Sequence, residues 1–158
     1  FAVMHIDLDY FKEVNDPLGH AAGDHVLQVV ARAMVEETRR TDMVARVGGD
    51  EFTVVLPDVY SDDILRRIGR RLINRLEVPI PYEGELCRIS ASIGTVWIQG
   101  GDRQSLEGIL ADADVALYAS KHAGRACNTF YNPGLRSASN AQTPPPGRGR
   151  APVERRKR

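Results

Sequence analysis

The chain opens on an almost unbroken apolar run, FAVMHIDL at residues 1–8. It is too short for a helix and suits a strand buried on both faces. Asp7 and Asp9 stand at its end. From Ala21 to Arg39, Val26, Val29, Val30, Ala33 and Met34 recur at three- and four-residue steps, which predicts an amphipathic helix. Two short apolar runs, Val44–Val47 and Phe52–Leu56, flank Gly48-Gly49, a pair suited to the positive φ angles of a hairpin turn. Ser61 is placed to cap a second helix carrying Ile64, Leu65, Ile68, Leu72, Ile73 and Leu76, which ends before Pro79. The run Arg88–Ile98 alternates as a strand does. Leu106–His122 reads as a third helix ended by Gly124, and a last short strand is expected around Asn128–Tyr131. The resulting order, β-α-β-β-α-β-α-β with a hairpin in the middle, implies an α+β sheet with its helices on one face.

A length of 158 residues suits one domain and one core. No run of about 18 apolar residues occurs, so no transmembrane helix and no membrane contact is expected from this chain. The formal charge is zero, but residues 132–158 carry seven Lys or Arg against one acid, Glu154, leaving the first 131 residues at −6. That final segment also holds five of the nine prolines and is expected to be a disordered, Pro/Arg-rich basic tail, solvated rather than bound to a specific nucleic acid. Cys87 and Cys127 are expected to be free thiols in a reducing, cytoplasmic setting. The start at Phe1, with no signal peptide, reads as part of something longer.

Carboxylates supply the candidate chemistry. If the first strand lies beside the hairpin, Asp7 comes close to Asp50 and Glu51 at the hairpin tip. Three converging carboxylates repel unless a hard cation neutralises them, and oxygen ligands alone point to Mg²⁺ or Mn²⁺. Gly48 and Gly49 would let a phosphate approach the backbone. Carboxylates, divalent metal and phosphate together describe phosphoryl or nucleotidyl transfer. His20 and His25 are five apart with no cysteine beside them, which argues against zinc. No G-x-S-x-G and no P-loop is present.

The stretch RVGGDEF at Arg46–Phe52 resembles the signature loop of the GGDEF domain, the catalytic domain of diguanylate cyclases. Agreement extends to IDLDYFKEVND at Ile6–Asp16, LGHAAGD at Leu18–Asp24, SASIG at Ser90–Gly94 and ADVALYASKHAGR at Ala113–Arg125. The resemblance covers residues 1–131 and departs from the family in two places. The family's usual first helix and D-x-LTGLPNR segment are missing, and Pro17 stands in a loop where a small polar residue is usual.

The resemblance implies a ferredoxin-like sheet related to nucleotidyl cyclases and polymerase palms. It implies a homodimer that joins two GTP into cyclic di-GMP in bacterial second-messenger signalling. Asp7, Asp50 and the Leu8 carbonyl match metal ligands, and Glu51 matches the residue that both binds metal and helps deprotonate the 3′-hydroxyl. Asn15 and Asp24 match the guanine readers, and Lys12, Lys121 and Arg125 match the triphosphate cations. Phe11, Gly48 and Gly49 complete the substrate site. Arg39 and Asp42 match the R-x-x-D pair of a product-inhibition site, which Arg70 is expected to join. The alternatives are a non-catalytic regulatory module that binds GTP or cyclic di-GMP, and an inactive structural fragment.

Overall fold

The computed structural model describes residues 1–100 and 104–142, with side chains as far as residue 137. Its elements are β1 (Ala2–Asp9), α1 (Phe11–Leu18), α2 (His20–Glu36), β2 (Met43–Gly48), β3 (Glu51–Leu56), α3 (Asp62–Leu76), β4 (Ile80–Tyr82), β5 (Glu85–Cys87), β6 (Ser90–Trp97), α4 (Leu106–His122), β7 (Asn128–Phe130) and α5 (Pro133–Gln142). The main sheet has the order β2-β3-β1-β6-β7, and β4 and β5 form a separate hairpin. The first strand is central, antiparallel to both β3 and β6, while β7 runs parallel to β6. This is the mixed α+β sheet that the element order predicts.

The alternating side chains of β1 enter two different cores. Ala2, Met4, Ile6 and Leu8 are buried with Val26, Val30 and Met34 of α2 and Leu65 and Leu72 of α3. On the opposite face, Val3 packs with Ile109 and Ala113 of α4, and His5 meets Asp114 of the same helix. The expectation of helices on one face is therefore corrected. A strand buried on both sides needs cover on both sides, and α4 supplies the second layer. Its close approach depends on Gly94 of β6, where a Cβ would lie 2.2 Å from the Ala113 carbonyl oxygen and 2.3 Å from the Leu117 nitrogen. Gly94→Ala is therefore expected to cost about 1–3 kcal/mol, as overpacking against fixed backbone does. Denaturant unfolding that leaves the midpoint unchanged would show that α4 does not seat this closely.

The helix expected over Ala21–Arg39 spans His20–Glu36, and Gly19 (φ 81) separates its start from a preceding short helix, α1, which the apolar spacing did not suggest. At its far end the Thr38 hydroxyl donates to the Met34 carbonyl at 2.9 Å. Pro17 lies in the last turn of α1 rather than in a loop. Ser61 and Ser105 cap α3 and α4, accepting from Ile64 and Gly108 backbone N–H groups.

The segment expected to be disordered from residue 132 instead begins with α5; the rest of that expectation, over residues 143–158, lies outside the described residues. Pro133 presets the first helical position. Arg136 then reaches back to Asp112 on α4, with Nε at 2.9 Å from Oδ1. Burial alone would raise the Asp112 carboxyl, but hydrogen bonds from Gln104, Tyr131 and Arg136 outweigh it and hold it below its ordinary value. The polar composition of this segment hid a contact 24 residues away.

Candidate active site

The end of β1 and the tip of the β2–β3 hairpin come together as the strand pattern implies. Asp7 pairs in register with Glu51, and the Leu8 N–H donates to the Asp50 carbonyl at 3.2 Å. At the tip Gly49 has φ 27 and Gly48 does not take a positive φ, so one glycine makes the turn. A bulge between Arg46 and Gly48 shifts the register, and Arg46 Nε donates to the Gly49 carbonyl at 2.8 Å, bracing the tip from its own strand.

A cleft of about 320 Å³ lies at this end of the sheet, lined by Asp7, Leu8, Asp9, Phe11, Lys12, Asp50, Lys121 and Arg125 among others. Burial raises the Asp7 carboxyl above its ordinary value, Lys121 works against that rise, and Asp50 and Glu51 add to it by repulsion. Lys121 Nζ lies 2.7 Å from Asp7 Oδ2. Arg125 Nε lies 3.7 Å from Asp9 Oδ1 with its side chain half exposed. The last turn of α4 and the turn after it thus bring two cations to the carboxylate end of β1.

Among the described residues, no group of three or more His, Cys, Asp or Glu side chains stands ready to hold a metal ion. Asp7 is buried, Asp50 half-buried and Glu51 exposed. The donor set nonetheless fits a hard cation in its chemistry: all its atoms are oxygens, and the mutual repulsion of the three carboxylates is offset here by an ammonium group.

Asn15 and Asp24 do not line this cleft. They lie on α1 and α2, and the Asn15 amide packs on α2 at Gly23, where a Cβ would sit 2.0 Å from Asn15 Oδ1 and 3.1 Å from the Phe11 ring. Gly23 is a residue that spacing alone did not single out. It leaves room for the Asn15 amide, and Asp24, the next residue of α2, is exposed. His25, half-buried, packs against the Tyr82 ring at 5.4 Å.

A second cleft, of about 350 Å³, is lined by Arg39, Asp42, Ile64, Arg67, Ile68 and Arg71. Arg39 and Asp42 form a reciprocal turn, the Arg39 N–H donating to Asp42 Oδ2 at 2.7 Å and the Asp42 N–H to the Arg39 carbonyl at 2.9 Å. Arg70 is not part of it. It lines two neighbouring clefts with Arg66, one of which Arg67 also lines.

The sequence profile described as "Diguanylate cyclase, GGDEF domain" matches residues 1–127. This chain belongs to the GGDEF family. The domain is 42% identical over 133 residues to the probable diguanylate cyclase DgcE of Escherichia coli (strain K12), covering 84% of this chain and 12% of that protein. It is 38% identical over 131 residues to the cyclic di-GMP phosphodiesterase NbdA of Pseudomonas aeruginosa, covering 83% of this chain and 16% of that one. The GGDEF domain thus spans well under a third of these two curated relatives. Among solved structures, the GGDEF domain of TpbB from Pseudomonas aeruginosa superposes with a TM-score of 0.82 at 36% identity, covering 88% of this chain and 81% of that one. The GGDEF domain of DgcB from Caulobacter crescentus, solved in complex with c-di-GMP, gives 0.74 at 28% identity, covering 82% and 76%. No helix among the described residues is long and apolar enough to cross a membrane.

Proposed function

We propose that this GGDEF domain is a metal-dependent diguanylate cyclase acting on GTP in the cytoplasm. The observation that carries the reading is the buried Asp7 in register with Glu51, with Lys121 and Arg125 arriving from α4 and its following turn. In the reaction the 3′-oxygen of one GTP attacks the α-phosphorus of the other. A P–O bond forms, the α–β bridging bond breaks, and pyrophosphate leaves; the second half repeats this with the roles exchanged. Two domains facing one another supply the two nucleotides.

Asp7, Asp50, Glu51 and the Leu8 carbonyl would hold Mg²⁺ or Mn²⁺, which lowers the pKa of the attacking hydroxyl and neutralises charge on the leaving pyrophosphate. Glu51, exposed at the hairpin tip, accepts the 3′-hydroxyl proton in this reading. Lys12, Lys121 and Arg125 bind the triphosphate, with the glycine turn leaving space for it and Phe11 flanking the nucleotide. Asp24 accepts from the guanine N1–H and exocyclic amine, and Asn15 completes the contact with the base edge.

Incubation with GTP and Mn²⁺ followed by chromatography tests this directly: cyclic di-GMP is the expected product. The 38% identity to a relative named as a phosphodiesterase favours, as second reading, a regulatory module that binds GTP or cyclic di-GMP without turnover. Binding of either nucleotide without product would select that reading, and absence of binding to both would overturn the two readings.

The cleft at Arg39 and Asp42 is proposed to bind cyclic di-GMP as an inhibitory site, now with Arg67 and Arg71 on its other wall. Guanidinium groups suit its phosphates, and the Asp42 carboxylate suits a guanine edge. Arg39→Ala is expected to weaken cyclic di-GMP binding at least about tenfold in calorimetry, the loss of a charge-assisted contact. Unchanged affinity would leave the pair with only its turn-forming part.

A further inference from the structure

Asp9 lines the cleft, yet the proposed chemistry assigns it no part. Its side chain is 1% exposed. Both of its oxygens accept from the Ser92 hydroxyl of β6, at 2.9 and 3.0 Å, and Oδ2 also accepts from the Ala126 N–H at 3.2 Å. Ser92 is itself fully buried. Such a carboxylate is costly to bury unless donors surround it, and here they come from residues 83 and 117 positions away.

The backbone beside it is unusual. Arg125 and Ala126 are consecutive non-glycine residues in the left-handed region, at φ 65 and 47, and Tyr10, next to Asp9, stands at φ 66. Residues in such conformations persist where surrounding contacts over-determine them. The hydrogen bond from Ala126 to Asp9 is one such contact, and the Arg125 N–H donating to the Ser120 carbonyl at 3.1 Å is another. The Arg125 guanidinium then lies 3.7 Å from Asp9 through Nε and 6.0 Å from the centre of the Tyr10 ring. With Nε turned to Asp9, the terminal N–H groups remain free to form a fork to phosphate oxygens.

We infer that Asp9 is a positioning residue for the triphosphate: anchored by Ser92, its carboxylate holds the left-handed turn at 125–126 and aims Arg125 into the cleft. The inference rests on the reading of the cleft as a GTP site. Asp9 itself makes no contact with substrate.

The test measures affinity of the full chain for a non-hydrolysable GTP analogue with Mg²⁺, and for guanosine, which has no phosphate. Asp9→Asn preserves size and is expected to weaken analogue binding about tenfold while leaving guanosine affinity unchanged, a split that general loosening of the fold would not produce. In an Arg125→Ala background the same change is expected to add less than about twofold, because the two residues act through one contact. Ser92→Ala, which leaves the carboxylate in place, is expected to show the same phosphate-specific loss at about three- to fivefold, and serves if Asp9→Asn does not fold. Additive losses, or equal weakening of both ligands, would overturn the inference while Arg125→Ala still weakens the analogue. If Arg125→Ala has no effect on the analogue, the phosphate reading of the cleft fails, and this inference with it.

Discussion

Replacing Glu51 with glutamine is expected to lower the rate of cyclic di-GMP formation by at least ~10²-fold, the low end of general-base effects. The amide keeps the size of the side chain but cannot accept the 3′-hydroxyl proton, and it removes one anion from the proposed metal site. Glu51 is exposed and stands opposite Asp7, so the change should leave thermal stability almost untouched. It also removes one of the repulsions that raise the Asp7 carboxyl, which should therefore move down toward its ordinary value. Initial rates measured by chromatography decide the matter. Unimpaired turnover in this variant would move the proton acceptor away from the hairpin tip.

Asp24→Asn should reduce GTP affinity by about 1–3 kcal/mol, as for a polar group left facing the wrong partner. An asparagine turned with its amide toward guanine N1–H sets donor against donor. Turned the other way, it offers a single neutral acceptor where a carboxylate offers two charged ones. Asp24 is exposed, so the loss should appear in binding and not in folding. Calorimetry with GTP and ATP on the parent and the variant separates base reading from phosphate attraction. Equal affinities for the two nucleotides in the parent would show that this end of the site does not read the base.

Much of this site was legible because its parts are local. The tip residues Gly48, Gly49, Asp50 and Glu51 are contiguous, and β1 ends at Asp7 and Asp9 through a plain apolar run. Other parts escaped because the signal lay elsewhere in the chain. Gly23 matters through the Asn15 amide it accommodates, and Asp9 through a hydroxyl and an amide on distant elements. The resemblance named Arg70 for the site of Arg39 and Asp42, whereas the α3 arginines that line that cleft are Arg67 and Arg71, a choice that depends on how the helix is rotated in the fold.

By itself the sequence determined the order of β1, α2, β2, β3, α3, β6, α4 and β7, the hairpin between Val44 and Leu56, and the cap at Ser61. Each of these is specified by steric and hydrogen-bonding preferences acting within a turn or two of chain. It also carried the family's linear motifs, whose residue types and spacings are read along the chain. Only the tertiary structure decided that α4 covers the second face of the sheet, that Lys121 rests on Asp7, and that Arg136 returns to Asp112. Apolar periodicity shows that a face is buried but not which element covers it. The carboxylate partners are chosen by the close seat of α4 on Gly94 and by the turns that follow it, a packing condition joining residues that no local pattern connects.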